Sequence, residues 1–252
     1  MVGENMKFKD AKIRSVAEFL SNLKKNHRVK QPIWFRGQER ESWSLAPTIA
    51  RVPLGIKAEA PLVTRFKQNA FALLPDRPSS EWEWLFVMRH YGVPTRLLDW
   101  SESPLVGLYF AVSKEPRHDA ALWALLPIEL NNAGNIRPQH PADIPGFGDA
   151  SVLENYLPSS LANEQMSSLL PAAAIAPRNT KRMQAQLGVF TITHRELTPI
   201  EDVGSGDHIW RYIIPKGSKK QIEQELSVLN VTILSLFPEL DHVANRAKEL
   251  LK

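Results

Sequence analysis

The sequence predicts a protein of the α+β class. Apolar residues recur at helical spacing mostly in the first half of the chain, whereas short apolar strands lie mostly in the second half. Strands and helices rarely alternate in the regular order of a parallel sheet. The chain has 252 residues, of which 43% are hydrophobic and 23% are charged. This is ordinary globular composition, and the length suits one large domain or two small ones.

The first elements are expected to be three helices and a short strand. The apolar positions of the helices are Ile13, Val16, Phe19, Leu20 and Leu23, then Leu62, Phe66, Ala70 and Leu73, then Trp82, Leu85, Phe86 and Met88. Ser79 and Ser80 are suited to cap the third helix, and Gly92 to end it. The strand is expected from Pro32 to Phe35, ending at Gly37.

The segment from His90 to Val112 concentrates polar and reactive side chains in an otherwise apolar frame. Thr95 to Trp100 is predicted to be a strand. Ser103 and Pro104 are typical of an N-cap and a first helical position, so a helix is expected to begin there. Strand ends and helix N-termini present unpaired N–H groups to anions. We therefore expect a ligand at this strand-to-helix crossing.

The second half of the chain is expected to consist mainly of strands. The predicted strands are residues 121–126, 172–176, 188–193, 209–214 and 231–236. The stretch from Pro127 to about Gly148 is rich in Pro, Asn and Gly and predicts a long loop. Gly217 and Ser218 are expected to begin one helix. Pro238 is expected to open a last helix that extends through Leu250 and Leu251.

Composition and motifs exclude several classes of protein. The chain has no cysteine, which excludes disulfides, thiolate metal sites and cysteine nucleophiles. Its seven histidines are scattered, so no metal is expected, and neither a nucleophile elbow nor a Walker lysine loop occurs. No apolar run suits a membrane span or a signal peptide. We therefore expect a cytoplasmic protein that does not bind a membrane.

The net charge of +4 is unevenly distributed along the chain. Residues 1–60 contain twelve Lys and Arg against six Asp and Glu, a local charge of +6. The basic residues of interest are Lys24, Lys25, Arg28, Lys30, Arg36, Arg40 and Arg51. Such residues suit the phosphates of a nucleotide or nucleic acid. A solvated helix face and a loop explain them as well, because no motif that reads DNA or RNA accompanies them.

Four motifs together resemble the FRG domain family. They are Trp34 to Gln38, Trp43 to Arg51, His90 to Ala111, and Arg182 to Thr191. The family is named after the Phe-Arg-Gly triplet, which occurs here at residues 35–37. The resemblance runs from about residue 13 to about residue 240, which implies a single domain over residues 1–252 with its core in that range. The family occurs in bacterial and phage proteins, often near defence or toxin genes, which implies a defence or toxin effector.

Three features also resemble ADP-ribosyltransferases of the arginine-serine-glutamate type, in the same order along the chain. An aromatic-Arg-Gly triplet ends a first strand at residues 35–37, Ser-x-Ser follows a second strand at residues 101–103, and Gln184 or Gln186 precedes a third strand. This more distant resemblance implies a split, mixed β-sheet with flanking helices. It also implies NAD as the substrate, with ADP-ribosyl transfer to a protein or nucleic acid, or NAD glycohydrolysis.

The resemblance and the residue chemistry together assign roles to side chains. Arg36 is expected to bind the pyrophosphate through its planar guanidinium, and Gly37 to let the backbone approach the ligand. Further nucleotide contacts are expected from the serines to the ribose and from the aromatic rings to the base. The residues assigned to these contacts are Tyr91, Thr95, Trp100, Ser101 and Ser103. The expected catalytic residues are Arg36, His90, Asp99 and Gln186.

One position departs from the transferase pattern, because Gln186 stands where those enzymes carry a glutamate. The glutamate stabilises the positive charge that develops on the ribose as nicotinamide leaves, and glutamine has no charge to offer. Either Asp99 or Glu102 takes this role, or the domain binds a nucleotide without cleaving it. The alternatives are a non-catalytic interaction or nucleic-acid-binding module, and a metal-independent nuclease that uses Arg36, His90 and Asp99.

Several of these residues also have a structural explanation. Arg36 can pair with Asp99, and His90 can interact with the dipole at the end of its helix. Trp100 is as well suited to the core as to the wall of a pocket. The sequence leaves both explanations open for each residue.

Overall fold

The computed structural model describes residues 9–26, 31–138, 143–149, 151–161 and 167–248. Its strands are β1 (Ala11–Lys12), β2 (Trp34–Gln38), β3 (Leu97–Ser101), β4 (Ala120–Leu125), β5 (Ala172–Ala174), β6 (Gly188–Ile192) and β7 (Ile209–Ile214). They form one seven-stranded sheet in the order β1-β7-β4-β2-β3-β6-β5. β1 pairs with β7 in parallel, and the other neighbouring strands are antiparallel. The mixed sheet and its helices confirm the predicted α+β class.

Ten helices of the described residues surround this sheet. They are α1 (Val16–Asn26), α2 (Glu59–Ala70), α3 (Glu81–His90), α4 (Pro104–Val112), α5 (Pro127–Ala133), α6 (Pro158–Leu161), α7 (Lys181–Ala185), α8 (Lys219–Val228), α9 (Ile233–Leu236) and α10 (Leu240–Lys248). Short 3-10 helices cover Thr48–Arg51, Gly55–Ala58, Ser151–Tyr156, Ile200–Asp202 and Lys216–Ser218. Within the described ranges, none of the helices combines the length and the apolar character needed to cross a bilayer.

The two helices that lead into and out of β3 begin as the sequence predicts. The Ser80 hydroxyl accepts a hydrogen bond from the Glu83 backbone N–H and caps α3. Gly92 follows the end of that helix with a φ of +78°, a conformation that suits glycine. The Ser103 hydroxyl accepts from the Val106 N–H and caps α4, with Pro104 in its first turn. These caps fix both ends of the predicted strand-to-helix crossing.

Both faces of the sheet are covered. Successive residues of a strand point to opposite faces. On β4, Leu122 packs with α1, α4 and α8 on one face, and Trp123 packs with Leu130 of α5 on the other. A third apolar cluster joins α2 and α3 to β3, β5 and β6, with Leu97 at its centre. The strands therefore lie in a buried core rather than at the surface.

Helix α4 packs unusually close to β2 because glycines meet at the contact. A Cβ at Gly37 would lie 2.1 Å from the carbonyl oxygen of Gly107 and 2.3 Å from the backbone nitrogen of Ala111. A Cβ at Gly107 would lie 2.9 Å from Cβ of Phe35. The glycine of the Phe-Arg-Gly triplet thus admits the helix backbone, and this contact fixes the strand next to Arg36.

The predicted loop from Pro127 to about Gly148 is wrong over its first seven residues, which form α5. Pro127 occupies the first turn of this helix, where proline is well tolerated. Asn131 exchanges hydrogen bonds of 3.0 and 2.8 Å with the backbone of Ala173, so the helix is held by a partner 42 residues away. Residues 139–142 of the predicted loop lie outside the described residues.

The predicted strand at residues 231–236 is also wrong, since its last four residues form the short helix α9. Thr232 and Ser235 form a capping box there: each side chain accepts a hydrogen bond from the other residue's backbone N–H. The predicted last helix is confirmed as α10. The part that includes Leu250 and Leu251 lies outside the described residues.

Candidate functional site

Arg36 lies where β2 and β3 separate. The two strands are joined by one residue pair, Phe35 with Ser101. Beyond that pair, the Arg36 side chain spans the opening, and its Nη1 donates a hydrogen bond of 2.6 Å to the backbone carbonyl of Asp99. The same nitrogen lies 4.0 Å from the Asp99 carboxylate. The Phe-Arg-Gly arginine therefore bridges two strands of the sheet.

Asp99 is shared between two arginines from different elements. Arg89, in the last turn of α3, donates from Nε and Nη2 to the same carboxylate oxygen, at 2.8 Å from Nε. Nη1 of Arg89 lies 3.4 Å from the hydroxyl oxygen of Thr48, which also accepts from the Thr95 N–H at 3.4 Å. We call Arg36, Arg51 and Arg89, together with Asp99, the arginine cluster. Arg51 is included because its charge acts on Arg36.

The electrostatics of the arginine cluster favour an added negative charge. Burial, together with the smaller influence of the charges of Arg89 and Arg51, lowers the pKa of Arg36 to about 10, although Asp99 partly offsets this effect. Burial alone would raise the pKa of Asp99, but Arg89 and then Arg36 hold it below its usual value. Asp99 is therefore ionised at neutral pH. Two guanidinium groups share one carboxylate, and the charge of Arg51 also acts on Arg36, so positive charge remains uncompensated.

The arginine cluster is open to solvent although it lies among buried groups. Desolvation is the largest influence on the pKa of both Arg36 and Asp99, yet 42% of the Asp99 side chain and 20% of the Arg36 side chain are exposed. Both side chains are therefore only partly covered by their neighbours. Nε of Arg36 is buried and has no hydrogen-bond partner among the described residues. Asp99 and part of Arg36 are thus accessible to a ligand, whereas this Nε donor is buried.

Ser101 and Gln186 are in contact, one strand further along the sheet. The Ser101 hydroxyl donates to the Gln186 backbone carbonyl at 2.7 Å and accepts from the Ser103 N–H at 2.9 Å. The Gln186 side chain donates to the carbonyl of Leu236, the last residue of α9, at 3.0 Å. Ser103 caps α4. These polar groups are engaged within the protein, and the roles assigned to them in ligand binding stay predictions.

His90 and Tyr91 lie at the end of α3, next to Arg89 in sequence. Burial and the nearby charge of Arg182 lower the pKa of His90, so that the imidazole is neutral at neutral pH. The Tyr91 ring is exposed and lies 5.0 Å from the His90 ring and 6.4 Å from that of Phe66. The proposed catalytic role of His90 and the proposed base contact of Tyr91 stay predictions.

Trp100 and Thr95 are buried. Trp100 packs in the core and its indole Nε1 donates to the Thr191 hydroxyl at 3.0 Å, which is the structural role that the sequence left open. The Thr95 hydroxyl is buried without a hydrogen-bond partner among the described residues. Glu102, the alternative acid, forms an ion pair with Arg178. Of the two candidate acids, Asp99 is the one that lies in the arginine cluster.

Nothing in the sequence assigned a role to Arg89 or Thr48, and Arg51 stood out only as a basic residue and as the end of the Trp43-to-Arg51 motif. Arg89 has the residue type that favours the last turn of any helix, so its sequence position carries no functional signal. Thr48 and Arg51 lie in a 3-10 helix that the pattern of apolar residues does not reveal. The described residues contain no group of three or more His, Asp or Glu side chains that could hold a metal ion.

The model of the FRG domain family matches residues 31–120, from just before β2 to the first residue of β4. Every residue of the arginine cluster lies inside this segment, together with the close contact between β2 and α4. The match supports the assignment to the FRG domain family and does not extend to ADP-ribosyltransferases. No curated protein and no solved structure matches the chain.

Proposed function

We propose that this domain binds a nucleotide of the NAD type through its phosphates, at the arginine cluster. The observation that carries the proposal is that Arg36 and Arg89 share one partly exposed carboxylate, while the charge of Arg51 also acts on Arg36. Guanidinium groups bind phosphate through two parallel hydrogen bonds, and partial desolvation strengthens such bonds.

The alternative structural explanation of Arg36 is compatible with this proposal. Arg36 does pair with Asp99, but a bridging arginine needs only one carboxylate partner, and Asp99 already has Arg89. A second and third cation at the same place raise the electrostatic energy of the free protein. A bound dianion lowers that energy, which supports a ligand rather than a purely structural cluster.

We further propose ADP-ribosyl transfer or NAD hydrolysis as the reaction, with Asp99 as the acid that replaces the missing glutamate. As the bond between ribose and nicotinamide breaks, nicotinamide takes the bonding electrons and positive charge develops on the ribose. An ionised carboxylate next to the ribose stabilises that charge. Asp99 is supported over Gln186, whose amide carries no charge and donates to Leu236. Either reaction suits a bacterial defence or toxin effector.

Two measurements on the purified protein test the proposal. Calorimetric titration with ADP-ribose tests binding, and titration with nicotinamide riboside, which lacks phosphate, serves as the matched control. We expect heat of binding from the first ligand and none from the second. Incubation with NAD, followed by chromatographic detection of nicotinamide, tests the reaction. Binding without nicotinamide release refutes the proposed reaction, and absence of binding to ADP-ribose refutes the proposed site.

A further inference from the structure

We infer that Arg51 is a second phosphate-binding arginine of this site, so that the ligand is a nucleotide with two linked phosphates rather than a nucleoside monophosphate. The inference rests on the proposed nucleotide site and adds the class of ligand that it selects. Arg36 and Arg89 are both tied to Asp99. Arg51 is held beside them by a different part of the chain.

The 3-10 helix Thr48–Arg51 places Arg51 on the side of the arginine cluster. In a 3-10 helix, the side chains of residues i and i+3 lie above one another. Thr48 and Arg51 have this spacing, and the Thr48 hydroxyl lies 3.4 Å from Arg89. The helix is anchored by the fully buried Ile49, whose N–H donates to the carbonyl of Thr95. Arg51 therefore lies on the same side of this helix as Thr48, which is next to Arg89.

Arg51 is available for a ligand, in contrast to Arg40. Both guanidinium groups lie over the Trp43 ring, at 5.5 Å from the ring centroid for Arg51 and 5.7 Å for Arg40. Arg40 forms an ion pair with Glu115 at 3.0 Å. Arg51 is exposed, and no carboxylate of the described residues pairs with it. Among the arginines of the cluster, Arg51 is thus the one without a carboxylate partner in the described part of the chain.

Trp43 acts as a positioning residue for Arg51. A guanidinium over an indole face is held by attraction to the ring while its N–H groups stay free at the edge. The influence of Arg51 on the pKa of Arg36 agrees with a short separation between the two charges. Arg36 at the strand opening and Arg51 on the 3-10 helix offer two separate sets of N–H donors. Two linked phosphates are the ligand that uses both sets.

The test compares ADP-ribose with AMP, which has one phosphate, by calorimetry or by competition where heats are small. Arg51→Gln is expected to weaken ADP-ribose binding about tenfold, the scale of one charged hydrogen bond, and to change AMP binding less than about twofold. Arg40→Gln, on the same indole ring, is the matched control and is expected to leave both affinities unchanged. Trp43→Leu is expected to weaken ADP-ribose binding in the wild-type background and to have no further effect in Arg51→Gln.

The outcomes distinguish failure of the proposed nucleotide site from failure of the role inferred for Arg51. If the wild-type protein binds neither ligand, the proposed nucleotide site fails and the inference fails with it. If it binds but Arg51→Gln weakens both ligands equally, or Arg40→Gln weakens ADP-ribose to the same extent, the inference is wrong and the nucleotide site stands. Additive effects of Trp43→Leu and Arg51→Gln refute the positioning role of Trp43.

Discussion

Replacement of Gly37 by alanine tests how closely the fold depends on the contact between β2 and α4. The added methyl group would lie 2.1 Å from the Gly107 carbonyl oxygen and 2.3 Å from the Ala111 nitrogen. Nonbonded heavy atoms are comfortable at about 3.5 Å, so the helix has to move by roughly 1 Å or more. The obstructing atoms are backbone, which cannot rotate away. We expect a loss of about 3 kcal/mol or more in the free energy of unfolding.

The assay is urea unfolding followed by circular dichroism, with thermal melting as a second probe. For a chain of this size, a loss of about 3 kcal/mol corresponds to a decrease in Tm of roughly 6–12 °C. Gly217→Ala is the matched control, because a Cβ there meets nothing within 4 Å. It is expected to be neutral or slightly stabilising. A loss below about 1 kcal/mol for Gly37→Ala, or equal effects of the two variants, would refute the close contact.

Two further predictions concern charged groups. Asp99→Asn removes the carboxylate that competes with a bound phosphate, so the affinity for ADP-ribose is expected to rise several-fold. Nicotinamide release is expected to fall by about two orders of magnitude, and unchanged release excludes Asp99 as the acid. The Tm of the variant is measured as a control because Arg89 loses its partner. Burial lowers the pKa of His194 to about 4, so the unfolded chain takes up a proton first as the pH falls. The contribution of neutral His194 to the free energy of unfolding is fully present above about pH 6.5 and is lost as the pH falls towards 4. Urea unfolding of His194→Gln is expected to show a shallower loss than the wild type over this range, and identical pH dependence contradicts the assignment.

Local signals predicted the elements whose ends depend on neighbouring residues. Ser80 and Ser103 bond to N–H groups three residues further on, and this pattern is visible in any sequence. Helix α5 escaped prediction because its stability depends on Asn131 and on Ala173, a residue far along the chain. At residues 231–236, the run of apolar side chains predicted a strand, whereas the capping box of Thr232 and Ser235 stabilises the start of a helix.

The candidate site was predictable where one residue carried the signal. Arg36 and Asp99 stood out by residue type and by the motifs around them, and the structure brings them together. Arg89 could not be predicted, because its partner Asp99 becomes a neighbour only when α3 packs against β3. Arg51 has the same difficulty, since its position depends on a 3-10 helix that is anchored to Thr95 by the backbone of Ile49.

The dissociation constant of ADP-ribose for Arg36→Gln and Arg36→Lys tests the account most directly. Removal of the guanidinium is expected to raise Kd at least about tenfold in both variants, because lysine lacks the planar pair of donors. Arg65→Gln, which replaces an exposed arginine of α2, is the control and is expected to bind as the wild type does. Circular dichroism verifies that each variant is folded at the titration temperature. Wild-type affinity in folded Arg36→Gln would contradict the proposed phosphate-binding role of the arginine cluster.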